Sequence, residues 1–162
     1  MKKNQQTGKH QLIKPSNHCT MKIKILLLLL LALLCKSCTT KIVEETVESY
    51  PDGSSKMVRY YKDDGDQRVL FKETLYYSNH QKYMEGEYKN GKRQGKWTSW
   101  YQNGNTWSEG FFNNGLDDGL RTAYHENGKK HFEGKYKDGK KTGIWKFWDE
   151  NGVQQKDQDY SR

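Results

Sequence analysis

The residues of this chain that could do chemistry are few, and most of them recur. Glu85, Glu109 and Glu133 stand 24 positions apart. Glycoside hydrolysis needs two carboxylates, but an acid that returns at a fixed interval serves the repeating unit, whereas an active site is usually built once. Asp117-Asp118 is the unrepeated exception, since the equivalent positions read Arg93-Gln94 and Lys141-Thr142. It falls in a turn, where a solvated loop is a plainer reading than a catalytic or calcium site. His80, His125 and His131 are scattered, have no cysteine companions and form no His-x-x-x-His pair, so they do not look like zinc ligands. No serine or cysteine nucleophile motif is present. The glycines end hairpins and do not open a helix beneath a phosphate. The expectation is a protein that is not an enzyme and holds no metal and no cofactor. What remains is a stripe of aromatic side chains, Tyr76, Tyr83, Trp100, Trp107, Tyr124 and Trp148, with His131 among them. It is read either as a ladder that stiffens a thin sheet or as a platform for sugars or a partner chain.

The formal charge of +8 looks at first like a nucleic-acid signal, but it is concentrated at one end. Residues 1–40 hold seven lysines and no acid, which leaves 21 basic residues against 20 acidic ones in the remainder. A near-neutral body gives a polyanion no footprint, and nucleic acid is not an expected partner. Met21-Lys22-Ile23-Lys24 is a short basic start, and Ile25 to Leu34 is an unbroken apolar run of ten. That run is about half of what a spanning helix needs and has the length of a secretory h-region. Cys35-Lys36-Ser37-Cys38 follows at once. The stretch resembles a bacterial lipoprotein signal peptide over 21–37, in which cleavage frees a cysteine thiol for lipid attachment. Ser37 before Cys38 is the small residue such a site wants, so Cys38 is the first choice for lipidation and Cys35, preceded by Leu34, the second. Residues 1–20 then read as an extra leader, with the true start at Met21. The resemblance implies export and a membrane anchor. No cysteine lies beyond Cys38, so the body must hold itself together by packing and strand pairing without a disulfide.

The elements that would position the aromatic stripe are written three times. Glu-Gly falls at 85–86, 109–110 and 133–134, and a second glycine at Gly95, Gly119 and Gly143. Asn-Gly closes each unit at 103–104, 127–128 and 151–152, while Asn90-Gly91, Asn114-Gly115 and Asp138-Gly139 sit between. A fixed period of this length marks a repeat architecture, and strand-like runs between turn pairs make it all-β. Residues 38–49 read as a tether with some strand character. A divergent repeat follows over 50–78, then three clear repeats over 79–152, then a polar tail or edge strand over 153–162. The expected sheet has eight or nine strands. Asn-Gly is the strongest signal for a two-residue type I′ hairpin. Placed at Asn103-Gly104, it pairs Trp100 with Trp107, Ser99 with Ser108, Thr98 with Glu109 and Trp97 with Gly110. The same rule pairs Tyr76 with Tyr83 and Tyr124 with His131. One face then carries Leu75, Met84, Tyr88, Trp97, Phe112, Ala123, Phe132, Tyr136, Trp145 and Phe147 with the Glu-Gly glycines, and the other carries the aromatic stripe flanked by Thr-Glu pairs.

Tyr83-Met-Glu-Gly-Glu-Tyr-Lys-Asn-Gly-Lys-Arg-Gln-Gly-Lys-Trp97 resembles a MORN repeat, a family of short β-hairpin units forming an elongated antiparallel meander. Trp97 and Trp145, with Arg121 between them, stand where the usual form has another glycine. That substitution is similar to the variant MORN repeat of many exported bacterial proteins, some of them YwqK-type antitoxins. The resemblance implies a binding or scaffolding module with a protein or glycan partner at the cell envelope. Its alternative implication is an antitoxin or immunity protein that neutralises a partner toxin. An envelope hydrolase is the third and weakest reading, with only Asp117-Asp118 to support it.

Overall fold

The computed structural model describes residues 41–64 and 67–161. The leader, Cys35, Cys38 and the proposed start at Met21 lie outside the described residues. Within them the chain is all-β, as expected, with no helix. Ten strands form one antiparallel sheet in chain order: β1 (Ile42–Ser49), β2 (Ser55–Asp64), β3 (Gln67–Tyr76), β4 (Lys82–Lys89), β5 (Lys92–Trp100), β6 (Thr106–Asn113), β7 (Leu116–Tyr124), β8 (Lys130–Lys137), β9 (Lys140–Phe147) and β10 (Gln158–Asp159). Most of the stretch read as a tether is β1, which pairs with β2 through Val43↔Tyr61 and Thr46↔Val58. Its alternating Ile42, Glu44, Thr46 and Val43, Glu45, Val47 fit a pleated edge.

The two turn classes of the repeat close the two edges of the sheet, and the two-residue hairpin sits at the other one. Asn90-Gly91, Asn114-Gly115 and Asp138-Gly139 have positive φ at both positions, +52° and +72° in the first. They join Lys89↔Lys92, Asn113↔Leu116 and Lys137↔Lys140 as type I′ turns. At Asn103-Gly104 only the glycine is left-handed, with φ +87°. Gly104 N–H donates to the Tyr101 carbonyl at 3.0 Å and Tyr101 N–H to the Asn105 carbonyl at 2.8 Å. This is a three-residue loop, a type I turn closed by a left-handed residue. The extra residue moves the first pair to Trp100↔Thr106, and a bulge at Trp107 then restores Ser99↔Ser108, Thr98↔Glu109 and Trp97↔Gly110. The same correction applies at Tyr76↔Lys82 and Tyr124↔Lys130, with Leu75↔Met84 and Ala123↔Phe132 as expected below them.

Burial centres on the tryptophan face. Trp97 is 4% exposed and Trp145 1%, a degree of cover unusual for a sheet with no second layer among the described residues. Three features close over them. A bulge between Gly86 and Glu87 turns the strand, and the Trp97 indole N–H donates to the Glu87 carbonyl at 3.1 Å, with Trp145 to Lys135 as its counterpart. Aromatic edges flank each indole: Tyr88 and Phe112 beside Trp97, Tyr136 and Tyr160 beside Trp145. A cation caps each ring, Arg93 at 4.1 Å and Lys141 at 4.3 Å from the centroid. Beneath lies the Glu-Gly glycine. A Cβ at Gly86 would come within 2.1 Å of the Trp97 ring, and one at Gly134 within 2.2 Å of Trp145. The indole therefore lies on the backbone of the preceding strand, which only glycine permits. In the middle unit Arg121 replaces the indole. Its side chain passes 3.5 Å from where a Gly110 Cβ would be and pairs with Asp117.

Candidate binding face

The opposite face is ordered in rows. Nearest the three-residue loops runs Tyr76, Trp100, Tyr124 and Trp148, one aromatic per repeat, each partly exposed. The next row alternates Thr74, Glu85, Thr98, Glu109, Thr122 and Glu133 in direct cross-strand register. Thr74 Oγ1 donates to Glu85 at 2.9 Å. Lysines hold the carboxylates: Lys82 and Lys72 on Glu85 at 2.8 and 3.0 Å, Lys96 on Glu109 and Lys130 on Glu133, each at 2.6 Å. Partial burial alone would push the Glu85 carboxyl up, but the two ammonium groups and the Thr74 hydroxyl outweigh it and hold the carboxyl below its usual range. A carboxylate so committed is a structural partner and not a free general acid.

The six residues of the expected stripe divide into two sets. Tyr76, Trp100, Tyr124 and Trp148 share the face described above. Lys82 Nζ lies 5.9 Å from the Trp100 centroid and Lys130 Nζ 5.6 Å from that of Trp148. Burial and a hydrogen bond with Tyr60 push the Tyr76 phenol up to about 12. Tyr83 and Trp107 do not join them. Trp107 sits at the bulge, 42% exposed, and is not the cross-strand partner of Trp100. These two residues pair instead with the loop aromatics one hairpin arm away, Tyr77 with Tyr83 at 5.1 Å and Tyr101 with Trp107 at 6.2 Å between ring centroids. His125 and His131 occupy the same places at the next loop, 4.4 Å apart. The rings of these pairs belong to the loop edge.

That edge carries a ladder the sequence reading missed. The Tyr50, Tyr77 and Tyr101 hydroxyls donate to the Tyr76, Trp100 and Tyr124 carbonyls at 2.8, 2.9 and 2.8 Å, and His125 Nε2 reaches the Trp148 carbonyl at 2.9 Å. Asn79, Asn103 and Asn127 side-chain amides reach Gln102, Glu126 and Glu150 carbonyls in the following loop. Each loop is thus bonded to the next. The available signal was the same spacing, since Tyr77, Tyr101 and His125 are themselves 24 apart.

A second feature went unread because it follows the period only in part: Leu120 and Ile144 are 24 apart, but Phe111 has no apolar equivalent. Phe111, Leu120 and Ile144 are 45%, 42% and 52% exposed on the aromatic-row face. A Cβ at Gly119, next to Leu120, would meet Phe111 at 3.2 Å. Leu120 lies opposite Lys135. Equivalent positions in the preceding unit are Glu87 and Lys96. Neither repeat stability nor core packing asks for apolar groups here, and a patch of this kind marks an interaction surface more often than a fold requirement.

The sequence model for the MORN repeat variant matches residues 93–114, 117–138 and 141–160. Each match begins just after one type I′ turn and ends at the next, except the last, which runs through β10 to Tyr160. Residues 93–160 are therefore three consecutive MORN-variant repeats, and the tail is the second arm of the third. No curated protein matches the chain.

Proposed function

From three consecutive MORN-variant repeats as framework, we propose that this chain is a non-catalytic binding or scaffolding module of the bacterial envelope, exported and held to the membrane by lipid at Cys38. Such repeats suggest binding or scaffolding in general. The particular reading rests on one observation: the row Tyr76, Trp100, Tyr124 and Trp148 stands partly exposed on a face that has no second layer over it among the described residues. Tryptophan at the centre of a contact commonly dominates its binding energy. In-envelope crosslinking should capture a partner with the parent protein. Trp100→Ala should weaken that capture by about 2 kcal/mol or more while the melting temperature moves little. Capture unchanged in a folded Trp100→Ala/Trp148→Ala variant would reduce the row to scaffolding.

Anchoring is tested separately. Metabolic labelling with a palmitate analogue should mark the parent protein and vanish in Cys38→Ala. Labelling that survives there but is lost in Cys35→Ala would move the site to Cys35.

The antitoxin reading has its own support in Phe111, Leu120 and Ile144, an exposed apolar patch that the first unit, with Glu87 and Lys96 in place of Phe111 and Leu120, does not share. In that case a toxin acting in the envelope is the partner, and Phe111→Asp/Leu120→Asp should abolish protection from it while Trp100→Ala does not.

A further inference from the structure

Each member of the aromatic row comes from the same position of successive hairpins. Neighbours along it are two strands apart, about 9.6 Å at the usual strand spacing. A ligand that engages the whole row must present an aromatic-binding face at that interval. An extended polypeptide does not, because its side chains return to one side every two residues, about 6.8 Å. An extended β-1,4-linked polysaccharide does, because it turns the same sugar face to one side once per disaccharide, an interval close to two strand spacings. An α-1,4-linked chain coils and loses the alignment.

The surroundings of Trp100 fit the same ligand. A shallow cleft of about 230 Å³ beside the indole is lined by Lys72, Lys96, Glu85, Glu87 and Thr98, and a second of about 300 Å³ on its other side by Gln81, Lys82 and Gly104. In the first cleft two ammonium groups stand against two carboxylates, so the charges cancel and a polyanion gains nothing. What the cleft offers is a ring of donors and acceptors around an apolar plate, the complement of a neutral sugar whose C–H face is apolar and whose rim is hydroxylated. At 5.9 Å, Lys82 Nζ is at the outer limit of a cation–π contact. The buried Trp97, capped at 4.1 Å, has no face left to offer.

We propose that the row Tyr76–Trp100–Tyr124–Trp148 is a ladder of subsites for a linear, neutral, β-1,4-linked polysaccharide, one aromatic per disaccharide, with the Trp100 cleft as the principal subsite. The proposal rests on the binding-face reading above. It is tested with the full-length protein in mild detergent, by calorimetric titration and tryptophan fluorescence, using chitohexaose, N-acetylglucosamine and maltohexaose. Chitohexaose should bind at least tenfold more tightly than either of the others. Trp100→Ala should weaken it at least tenfold, Trp100→Phe should restore most of the loss, and Trp107→Ala, off the row, should leave it unchanged. Circular dichroism of each variant checks that it is folded. Absence of chitohexaose binding, equal binding of maltohexaose, or indifference to Trp100→Ala in a folded protein overturns the proposal. If in-envelope capture of a protein still depends on Trp100 in that event, the face binds a polypeptide and only the ligand class is wrong. If capture is indifferent to Trp100 as well, the binding-face reading falls with it.

Discussion

Trp97 on Gly86 and Trp145 on Gly134 show how one atom decides the packing of a repeat. A methyl group at Gly86 would have to displace a rigid, buried ring from 2.1 Å, whereas at Gly110 the flexible Arg121 side chain already stands at an ordinary contact distance of 3.5 Å. Gly86→Ala and Gly134→Ala should each cost about 3 kcal/mol, the upper end of overpacking, and Gly110→Ala under about 0.5 kcal/mol, as for an ordinary surface substitution. Thermal melting of the three variants checks this, and equal losses would contradict the placement of the indoles. The sequence named the right face and the right glycine motif, but its hairpin rule set only Gly110 opposite Trp97, whereas the ring lies over Gly86. Pairing alone cannot choose, because Trp97 has Gly86 on one side and Gly110 on the other. The choice is made by the ring's tilt toward the bulge, where the Glu87 carbonyl accepts its N–H.

At the scale of the hairpin, loop chemistry was legible and its assignment was not. Both Asn-Gly series are turns, but a type I′ turn needs left-handed φ at two residues, and among the described residues asparagine adopts it only at 90 and 114, with aspartate at 138. Nothing in the dipeptide distinguishes Asn103-Gly104 from Asn90-Gly91. The difference lies in Tyr101 and Asn103, whose side chains reach the next loop and stabilise the longer form. One residue of loop length was enough to split the stripe into a face row and an edge row. The loop after Tyr124 puts two imidazoles where the two before it have a pair of phenols, Tyr77 and Tyr83, or a phenol and an indole, Tyr101 and Trp107. Burial, and then the proximity of His125, hold the His131 imidazole below its ordinary value. A histidine lowered on folding contributes stability that is present above about pH 6.5 and is lost as pH falls below it. His125 donates its Nε2 proton to the Trp148 carbonyl, so charging His131 sets a cation against the ring that anchors the third repeat. The melting temperature should therefore drop between about pH 7.5 and about pH 5, and His131→Tyr, which matches Tyr83, should shrink that drop. An identical drop in the variant would place the acid sensitivity elsewhere.

At the scale of the molecule, each hairpin is marginal alone and draws stability from its neighbours. The repeat period and the all-β meander were plain in the sequence because they are local and written three times. The two ends were not, because an end is where the pattern degrades: β1 lacks a turn pair before it, and β10 is two residues long. Yet the C-terminal end is closed by specific contacts. Tyr160 packs edge-on against Trp145 at 5.9 Å, takes a Lys141 cation at 5.0 Å and donates its backbone N–H to Gly143. It stands in the position of Tyr88, Phe112 and Tyr136. Truncation after Lys156 removes this cover, so the third repeat should lose protection in hydrogen exchange while the strands around Trp97 keep theirs. Uniform loss of protection across the sheet would mean that the repeats do not behave as separable neighbours.

The loop ladder has a further consequence, for the gene. Every rung runs the same way, from a side chain in one loop to a carbonyl in the following one, and donor and acceptor sit at fixed places in the repeat. An in-frame duplication or loss of one whole unit re-forms each rung with the new neighbour and leaves no donor stranded. Unequal recombination between the copies is thereby a conservative event, and the length of the face becomes a trait that selection can change in single steps.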